Sequence, residues 1–221
     1  MYIKQIELEN FKNFKDKTII EFHKGLNNIF GPNGSGKSNI LDSIIFVLGQ
    51  KDLRVENDLQ FFNCSSESLK STVKIVFDND NTVEKVLEKD LSSNIKTSYY
   101  LNGKSVLEDE ILKFVEDLNL EIFDDCAMRL NLSEVETFAN ELKQRSKTTQ
   151  IIIVSSRKPL LSIADKVITI GDTYYSRTLG KIYINGIKED MNKVSKIAEE
   201  IGSTPENVLL YIIAERLGSL Q

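Results

Sequence analysis

Residues 26–49 are LNNIFGPNGSGKSNILDSIIFVLG, and this stretch determines the fold prediction. It begins with an apolar run typical of a strand, passes through a glycine-rich loop and ends with apolar residues at helical spacing. The loop, residues 31–38, matches the pattern G-x-x-x-x-G-K-S at every fixed position. Such a loop points backbone N–H groups at phosphates, and the following helix start adds partial positive charge. The stretch predicts a nucleoside triphosphate site.

Each residue type in this loop suits one part of magnesium-ATP. Lys37 supplies a point charge for the β- and γ-phosphates, and the Ser38 hydroxyl suits Mg²⁺. The alternative is an ordinary glycine-rich turn, which the matched pattern and context disfavour. We therefore predict ATP and Mg²⁺ as ligands, with nucleotide contacts from Gly31, Pro32, Asn33, Gly34, Ser35, Gly36, Lys37, Ser38 and Asn39.

An acidic pair, Asp124-Asp125, ends a second apolar stretch. A carboxylate at such a strand end can hold Mg²⁺ from the side opposite the phosphate loop, through water. The alternative is an acidic helix entry that only complements a helix dipole. Because the phosphate loop lies upstream, we predict Asp124 as a metal ligand together with Ser38.

The bulk composition of the 221 residues is that of a globular protein, with 41% hydrophobic and 28% charged residues. No apolar run approaches the roughly 18 to 20 residues that span a bilayer, so no membrane partner is expected. The N-terminus starts directly in a strand pattern, so no signal peptide is expected. Cys64 and Cys126 fit no metal-ligand spacing and indicate reduced thiols. A cytoplasmic location is expected.

The order of elements predicts an α/β fold with an attached antiparallel sheet. Strand patterns dominate the first hundred residues, and two of them, 72–78 and 82–88, flank the turn residues Asn79-Asp80-Asn81. Strands and helices then alternate. A helix is predicted over 106–117 and another from a Ser133 cap, and the apolar run 151–154 predicts a strand buried on both faces.

The sequence around the loop resembles the heads of SMC (structural maintenance of chromosomes) ATPases and their double-strand-break-repair relatives. The resemblance lies in GPNGSGKSNILDSIIFVLG, ENFKNF, Leu53-Arg54, FDND and YYLNGK, and more loosely in residues 121–170. It implies a P-loop NTPase fold of the ABC type, with a mixed sheet plus an antiparallel β subdomain. The implied organisation is an N-terminal lobe over 1–120, a C-terminal lobe over 121–188 and a helical appendage over 189–221.

The same resemblance assigns roles at the second lobe. Asp124 falls on the family's magnesium aspartate and Asp125 on its catalytic glutamate. Leu130-Asn131 falls on the D-loop, and Ser156 falls on the switch histidine, before Arg157-Lys158. All of these assignments follow from the resemblance and not from spacing.

Further assignments by resemblance concern the first lobe. Lys12 and Asn13 would lie near the nucleotide, and Arg54 would face phosphate or DNA. Gln60 is the best match for the family's Q-loop glutamine, a ligand of magnesium and water. The alternative for Lys12, Arg54 and Gln60 is solvated surface.

Several departures from the family pattern predict damaged hydrolysis. Only a short helix separates Lys104 from Glu121, with no sustained heptads in place of the family's long coiled coil. The sequence contains no Gly-Gly pair, so the signature motif Ser-x-Gly-Gly-Glu/Gln is absent. Asp125 is one methylene shorter than glutamate, and Ser156 lacks an imidazole. His23, the single histidine, is expected at the surface.

Residues 194–213, VSKIAEEIGSTPENVLLYII, have the spacing of a helix-turn-helix. The second predicted helix offers Glu206, Asn207 and Leu210 where a DNA reader needs Arg, Lys or Gln. Its many apolar residues favour packing or dimerisation over direct reading of DNA.

The sequence thus predicts an SMC-like ATP-binding head, a magnesium-ATP-dependent partner in chromosome maintenance or DNA repair, with weak or no hydrolysis. The expected partners are ATP, DNA, and a second copy or another SMC-like protein, in the cytoplasm or on the nucleoid. The DNA would be contacted indirectly, or through the Arg54 region or the tail. Two alternatives stay open. One is a non-catalytic structural or regulatory module that assembles through its tail, and the other is an engineered fusion of two head lobes.

Overall fold

A computed structural model describes residues 1–49, 58–125 and 127–170, and beyond these the backbone of three strands. The predictions for Arg54 and for residues 194–213 lie outside the described residues.

The helices are α1 (Lys37–Val47), α2 (Glu108–Val115), α3 (Leu132–Arg145) and α4 (Lys158–Ile163), with a 3-10 helix at Asp58–Phe61. The strands are β1 (Ile3–Glu9), β2 (Thr18–Glu21), β3 (Leu26–Phe30), β4 (Lys70–Phe77), β5 (Thr82–Lys89), β6 (Ile95–Leu101), β7 (Lys104–Val106), β8 (Leu120–Asp124), β9 (Gln150–Val154), β10 (Lys166–Thr169), β11 (Thr173–Ser176), β12 (Lys181–Ile184) and β13 (Ile187–Asp190).

The first sheet is antiparallel, with strand order β2-β1-β4-β5-β6-β7. Buried and half-buried residues alternate along β4, as expected of strands with one face on a core. The hairpin between β4 and β5 forms where the sequence predicts it, and Asp80 in its turn has a left-handed φ of 59°. Asp residues tolerate this conformation better than most.

The second sheet is parallel, with strand order β10-β3-β9-β8. Helices α3 and α4 cover one face, and α1 lies on the other, against the first sheet. Every residue of β9 is buried, which confirms the prediction from its continuous apolar run. The described elements confirm the α/β fold with an attached antiparallel sheet.

The side chain of Gln150 joins the two sheets. Its Oε1 accepts from the Ile3 N–H, and its Nε2 donates to the Ile3 carbonyl, each at 2.8 Å. Nε2 also donates to the carbonyl of His23 at 3.0 Å. Because Gln150 is 2% exposed, these bonds satisfy an amide that would otherwise be costly to bury. The first strand of one sheet is thereby fixed to the start of β9 in the other.

Helix α1 is supported at its C-terminal end by Lys85. The Lys85 ammonium donates to the Phe46 carbonyl at 3.1 Å and lies 4.1 Å from the centroid of the Phe46 ring. A cation is favourable at the negative end of a helix. Burial lowers the pKa of Lys85, and the charges of Glu108 and Asp58 oppose that shift.

Several local predictions differ from the structure. The cap of α3 is Asn131 and not Ser133: Asn131 Oδ1 accepts from the Glu134 N–H at 3.0 Å, and Glu134 Oε2 accepts from the Asn131 N–H at 2.8 Å. The Ser133 hydroxyl donates to Asn131 Oδ1 instead. The helix predicted over 106–117 is the shorter α2.

The sequence does not predict four further elements, one of which is the short strand β7. The others are α4, β11 and β13, and β13 spans residue 188, where the predicted second lobe ends. The three-part division of the chain stays a prediction. Within the described residues, no helix has the length and apolar character needed to cross a bilayer.

Two adjacent asparagines in β3 are fully buried but differently satisfied. Asn27 Oδ1 accepts from the His23 N–H, and its Nδ2 donates to the carbonyls of His23, Gly25 and Ile151. Asn28 lies level with Ile153 and Val167 on the neighbouring strands. Neither amide atom of Asn28 has a hydrogen-bond partner among the described residues.

This contrast predicts opposite effects of the same substitution. Asn28→Leu removes two unpaired polar atoms and keeps the branched shape, so the protein should gain about 1–3 kcal/mol. Asn27→Leu leaves the groups around His23 without partners and should lose a similar amount. Thermal unfolding followed by circular dichroism measures both, at about 2–4 °C per kcal/mol for a chain of this size. A lower midpoint for Asn28→Leu would show that its amide has a partner after all.

Candidate functional site

The loops of interest lie together because the second sheet is parallel. Asp124 on β8 is level with Val154 on β9, and Val154 is level with Ile29 on β3. The carboxyl ends of these strands therefore meet at one edge of the sheet, where α/β proteins form their sites. The loops that begin at Gly31, Asp125 and Ser155 all leave from this edge.

The phosphate loop has the glycine conformations that such a loop requires. Gly34 and Gly36 have φ values of 80° and 97°, in the left-handed region. The Ser35 N–H donates to the Pro32 carbonyl at 3.3 Å and closes the turn. A Cβ at Gly31 would lie 2.3 Å from the Ile170 carbonyl oxygen, so only glycine fits there.

The start of α1 is open toward the loop. Its N-cap is Gly36, without a side-chain capping bond and without an acidic residue in the first turn. The first N–H groups of a helix have no partners within the helix, and together with the positive end of the helix dipole they favour an anion. Lys37 lies in the same turn, and its ammonium donates across the loop to the Pro32 carbonyl at 2.8 Å.

The Ser38 hydroxyl donates to Asp124 Oδ1 at 3.3 Å, although the two residues are 86 positions apart. Ser38 belongs to the first turn of α1, and Asp124 is the last residue of β8. A hydroxyl and a carboxylate are ligands that Mg²⁺ prefers. The structure thus brings together two of the three residues that are predicted as metal ligands, Ser38 and Asp124.

The loop also fits a phosphate chain. Ser35 Oγ is buried and has no hydrogen-bond partner among the described residues. A buried hydroxyl normally has a partner, so this atom has an unused donor at the centre of the loop. The space next to Gly34 is open, because a Cβ there would meet nothing within 4 Å.

Asp125 lies beside this site with a constrained backbone. Its φ is 48°, and its N–H donates to the Val154 carbonyl at 3.2 Å. The residue is exposed. The loop after β9 also presents Ser156, which is exposed, while Ser155 is buried and its Oγ accepts from the Arg157 N–H. The roles assigned to Asp125 and Ser156 remain predictions.

Arg157 joins two loops of the site, which sequence reasoning missed. Its guanidinium donates to the Leu130 carbonyl at 2.7 Å. The loop after β9 is thereby fixed to the Leu130-Asn131 segment, next to the cap of α3. Arg157 is visible in the sequence, but no local pattern indicates that it reaches a carbonyl 27 positions away.

Lys12 and Asn13 lie beside the phosphate loop in different ways. Asn13 Nδ2 donates to the Gly34 carbonyl at 3.4 Å, and its Cβ would be 3.6 Å from a Cβ on Gly36. The Lys12 ammonium lies 2.5 Å from Asp42 Oδ2 on α1. Sequence reasoning missed Asp42, because a single acidic residue on a helix is usually solvated.

Gln60 lies in the 3-10 helix and is exposed. It lines a cleft of about 560 Å³ together with Asn13, Asn39 and other residues, and neither Ser38 nor Asp124 lines this cleft. The assignment of Gln60 as a metal ligand therefore stays a prediction without support from the described geometry.

His23 lies at the opposite edge of the sheet from the phosphate loop. Its Nδ1 accepts from the Gly25 N–H at 3.1 Å, and its side chain is 46% exposed. A cleft of about 470 Å³ at this edge is lined by His23, Lys143 and Asp165 among others. This cleft is far from the three loops that leave the carboxyl ends of the strands, and we do not assign it to the nucleotide.

The family model described as RecF/RecN/SMC N terminal domain matches residues 2–123, more than half of the chain. The chain belongs to the RecF/RecN/SMC family. This SMC-type chain is 42% identical over 106 residues to the chromosome partition protein Smc of Thermoplasma acidophilum, and 30% identical over 208 residues to that of Fusobacterium nucleatum. These alignments cover 46% and 90% of the chain, but only 9% and 17% of the relatives.

Solved structures agree on the fold. A structure described as the SmcHead bound to the C-winged helix domain of ScpA matches with a TM-score of 0.68 and 18% identity. The match covers 89% of this chain and all of the other. The chain therefore has the fold of an SMC-type ABC ATPase head. Because it spans a small part of the length of the Smc relatives, their activity and partners are not transferred with the fold.

Proposed function

We propose that this chain is a magnesium-ATP-binding head that works in chromosome or DNA maintenance. The observation that carries the proposal is the contact of Ser38 Oγ with Asp124 Oδ1 beside an uncapped helix start. A hydroxyl, a carboxylate, a lysine and open backbone donors in one place suit a phosphate chain with a divalent cation. A glycine-rich turn without a binding role would have no need of a carboxylate from β8.

Each residue has a distinct part in binding. The loop backbone and the unpaired Ser35 hydroxyl donate to phosphate oxygens, and the Lys37 ammonium neutralises their charge. Ser38 and Asp124 would hold Mg²⁺, which would offset the negative charge of the phosphate oxygens. Asn13 orients the loop through the Gly34 carbonyl. Gly31, Pro32, Asn33, Gly36 and Asn39 complete the proposed nucleotide contacts.

We further propose that hydrolysis by the isolated chain is slow. Phosphoryl transfer depends on positioning and electrostatic stabilisation. Asp125 offers a short side chain for orienting water, and Ser156 offers a neutral hydroxyl. The sequence also lacks a Gly-Gly pair, and so it lacks the signature motif of the family. The part of the site that the signature motif forms in the family would then have to come from another chain.

The process and the partners are proposed from the relatives. Those relatives are named chromosome partition proteins, and one matching head is bound to a domain of ScpA. We propose that this chain likewise acts on chromosomal DNA through a protein partner, either a second copy or another SMC-like chain. Location in the cytoplasm, with the nucleoid, follows from this role.

The binding proposal predicts that Lys37→Ala weakens magnesium-ATP binding at least about tenfold, or about 1.4 kcal/mol. The physical reason is that the triphosphate then faces only backbone dipoles. Lys4→Ala is the matched control, because Lys4 forms an exposed ion pair with Asp80 away from the loop. Isothermal titration calorimetry measures both. Equal affinities for the parent and for Lys37→Ala would show that the loop does not hold a phosphate chain.

The hydrolysis proposal predicts turnover well below about once per second at saturating magnesium-ATP, the low end of the kinase range. Phosphate release measures it, with Asp125→Ala as the comparison. If turnover is near that rate and disappears in Asp125→Ala, another element of this chain replaces the missing signature motif.

A further inference from the structure

Lys12 lies in the loop between β1 and β2, and its backbone is fixed on both sides. Its φ is 46°, and its N–H donates to the Phe61 carbonyl at 2.8 Å. Its own carbonyl accepts from Asn63 Nδ2 at 2.5 Å. A left-handed, non-glycine residue with both backbone groups bonded is held by its surroundings. The position from which the Lys12 side chain extends is therefore fixed by the last residue of the 3-10 helix, Phe61, and by Asn63 after it.

The Lys12 ammonium is paired, and its side chain is mostly buried at the edge of the cleft that Asn13 and Gln60 also line. It lies 2.5 Å from Asp42 Oδ2, and the two side chains are 12% and 7% exposed. It also lies 5.7 Å from the centroid of the Phe61 ring. Breaking a buried pair by removing one partner leaves an uncompensated charge, which is strongly destabilising. Moving the ammonium to a nucleotide would have the same consequence for Asp42.

Asp42 places this pair on the helix that carries the phosphate loop. It follows Ser38 by four residues, which is one turn of α1. The residue after Lys12 is Asn13, whose amide contacts the Gly34 carbonyl inside the loop. The Lys12 side chain therefore contacts α1, and the Asn13 side chain contacts the phosphate loop. The hydrogen-bonded backbone of Lys12 links these two contacts.

We propose that Lys12 is a positioning residue that acts through Asp42 and does not bind the nucleotide itself. The buried Lys12–Asp42 pair fixes α1 relative to Asn13, so that Ser38, Lys37 and the loop backbone face the phosphates together. The family resemblance implies only that Lys12 lies near the nucleotide, which would also suit a direct ligand. The inference rests on the proposed nucleotide site.

A positioning role and a direct nucleotide-binding role for Lys12 predict opposite results for Asp42→Asn. If Lys12 positions α1 through Asp42, then Asp42→Asn and Lys12→Met both weaken magnesium-ATP binding, each by about tenfold. The double variant should bind more tightly than the product of the two losses allows, because neither buried charge is left alone. If Lys12 is a ligand, Asp42→Asn frees it, and binding is unchanged or tighter.

The experiment is calorimetry with magnesium-ATP on the full chain, at a temperature where circular dichroism shows every variant folded. Lys4→Met is the control, since it removes one partner of the exposed Lys4–Asp80 pair and should leave binding unchanged. Unfolding without nucleotide, on the same four proteins of the cycle, should show favourable coupling between Lys12 and Asp42.

Three results would overturn the inference. Unchanged or tighter binding by Asp42→Asn, with a loss in Lys12→Met, makes Lys12 a ligand. Parental affinity in all the variants shows that the pair does not position the site, while the proposed function stands. A parent chain that binds no magnesium-ATP refutes the proposed function, and the inference falls with it.

Discussion

The parallel register of β3, β9 and β8 is the constraint on which the site depends. It sets Asp124 level with Val154 and Ile29, so the chain leaves Asp124 and Phe30 at the same edge of the sheet. The first turn of α1 then has to pass this edge, and Ser38 meets Asp124. Moving β8 by two residues would shift Asp124 by roughly 6.6 Å. The contact between hydroxyl and carboxylate would then be lost.

Much of the remaining structure keeps α1 in the position that this contact needs. Lys85 holds its C-terminal end through the Phe46 carbonyl, and Lys12 pairs with Asp42 near its middle. Gln150 fixes the first sheet, which carries Lys85, to the start of β9. Buried polar groups that are hydrogen-bonded across elements in this way favour one arrangement of those elements.

The sequence alone predicts the features that depend on residues close to one another along the chain. The phosphate loop, its flanking strand and helix, the hairpin at Asn79-Asp80-Asn81 and the buried run in β9 follow from glycine conformations, helical spacing and hydrophobic pattern. The cap of α3 shows where prediction from the local sequence fails. Asn131 and Ser133 are both good caps, and each has a glutamate three residues later, so the local pattern fits both. In the structure Asn131 makes both capping bonds.

The candidate site was predictable to the same extent. Lys37, Ser38 and Asp124 belong to patterns with a chemical reason, and the structure brings Ser38 and Asp124 together. The Lys12–Asp42 and Arg157–Leu130 contacts join segments 30 and 27 positions apart through the fold. Nothing in the residues near Asp42 or Arg157 indicates these partners. Contacts of this kind become visible only when the tertiary arrangement is known.

The central claim is that Ser38 and Asp124 jointly hold the divalent cation of a bound nucleotide. Titration of Mn²⁺ in place of Mg²⁺, followed by electron paramagnetic resonance of the free ion, tests this claim directly. The account predicts about one tightly bound Mn²⁺ per chain when ATP is present, and loss of that tight site in Asp124→Asn. Equally tight Mn²⁺ binding in Asp124→Asn, or in the absence of ATP, would contradict it.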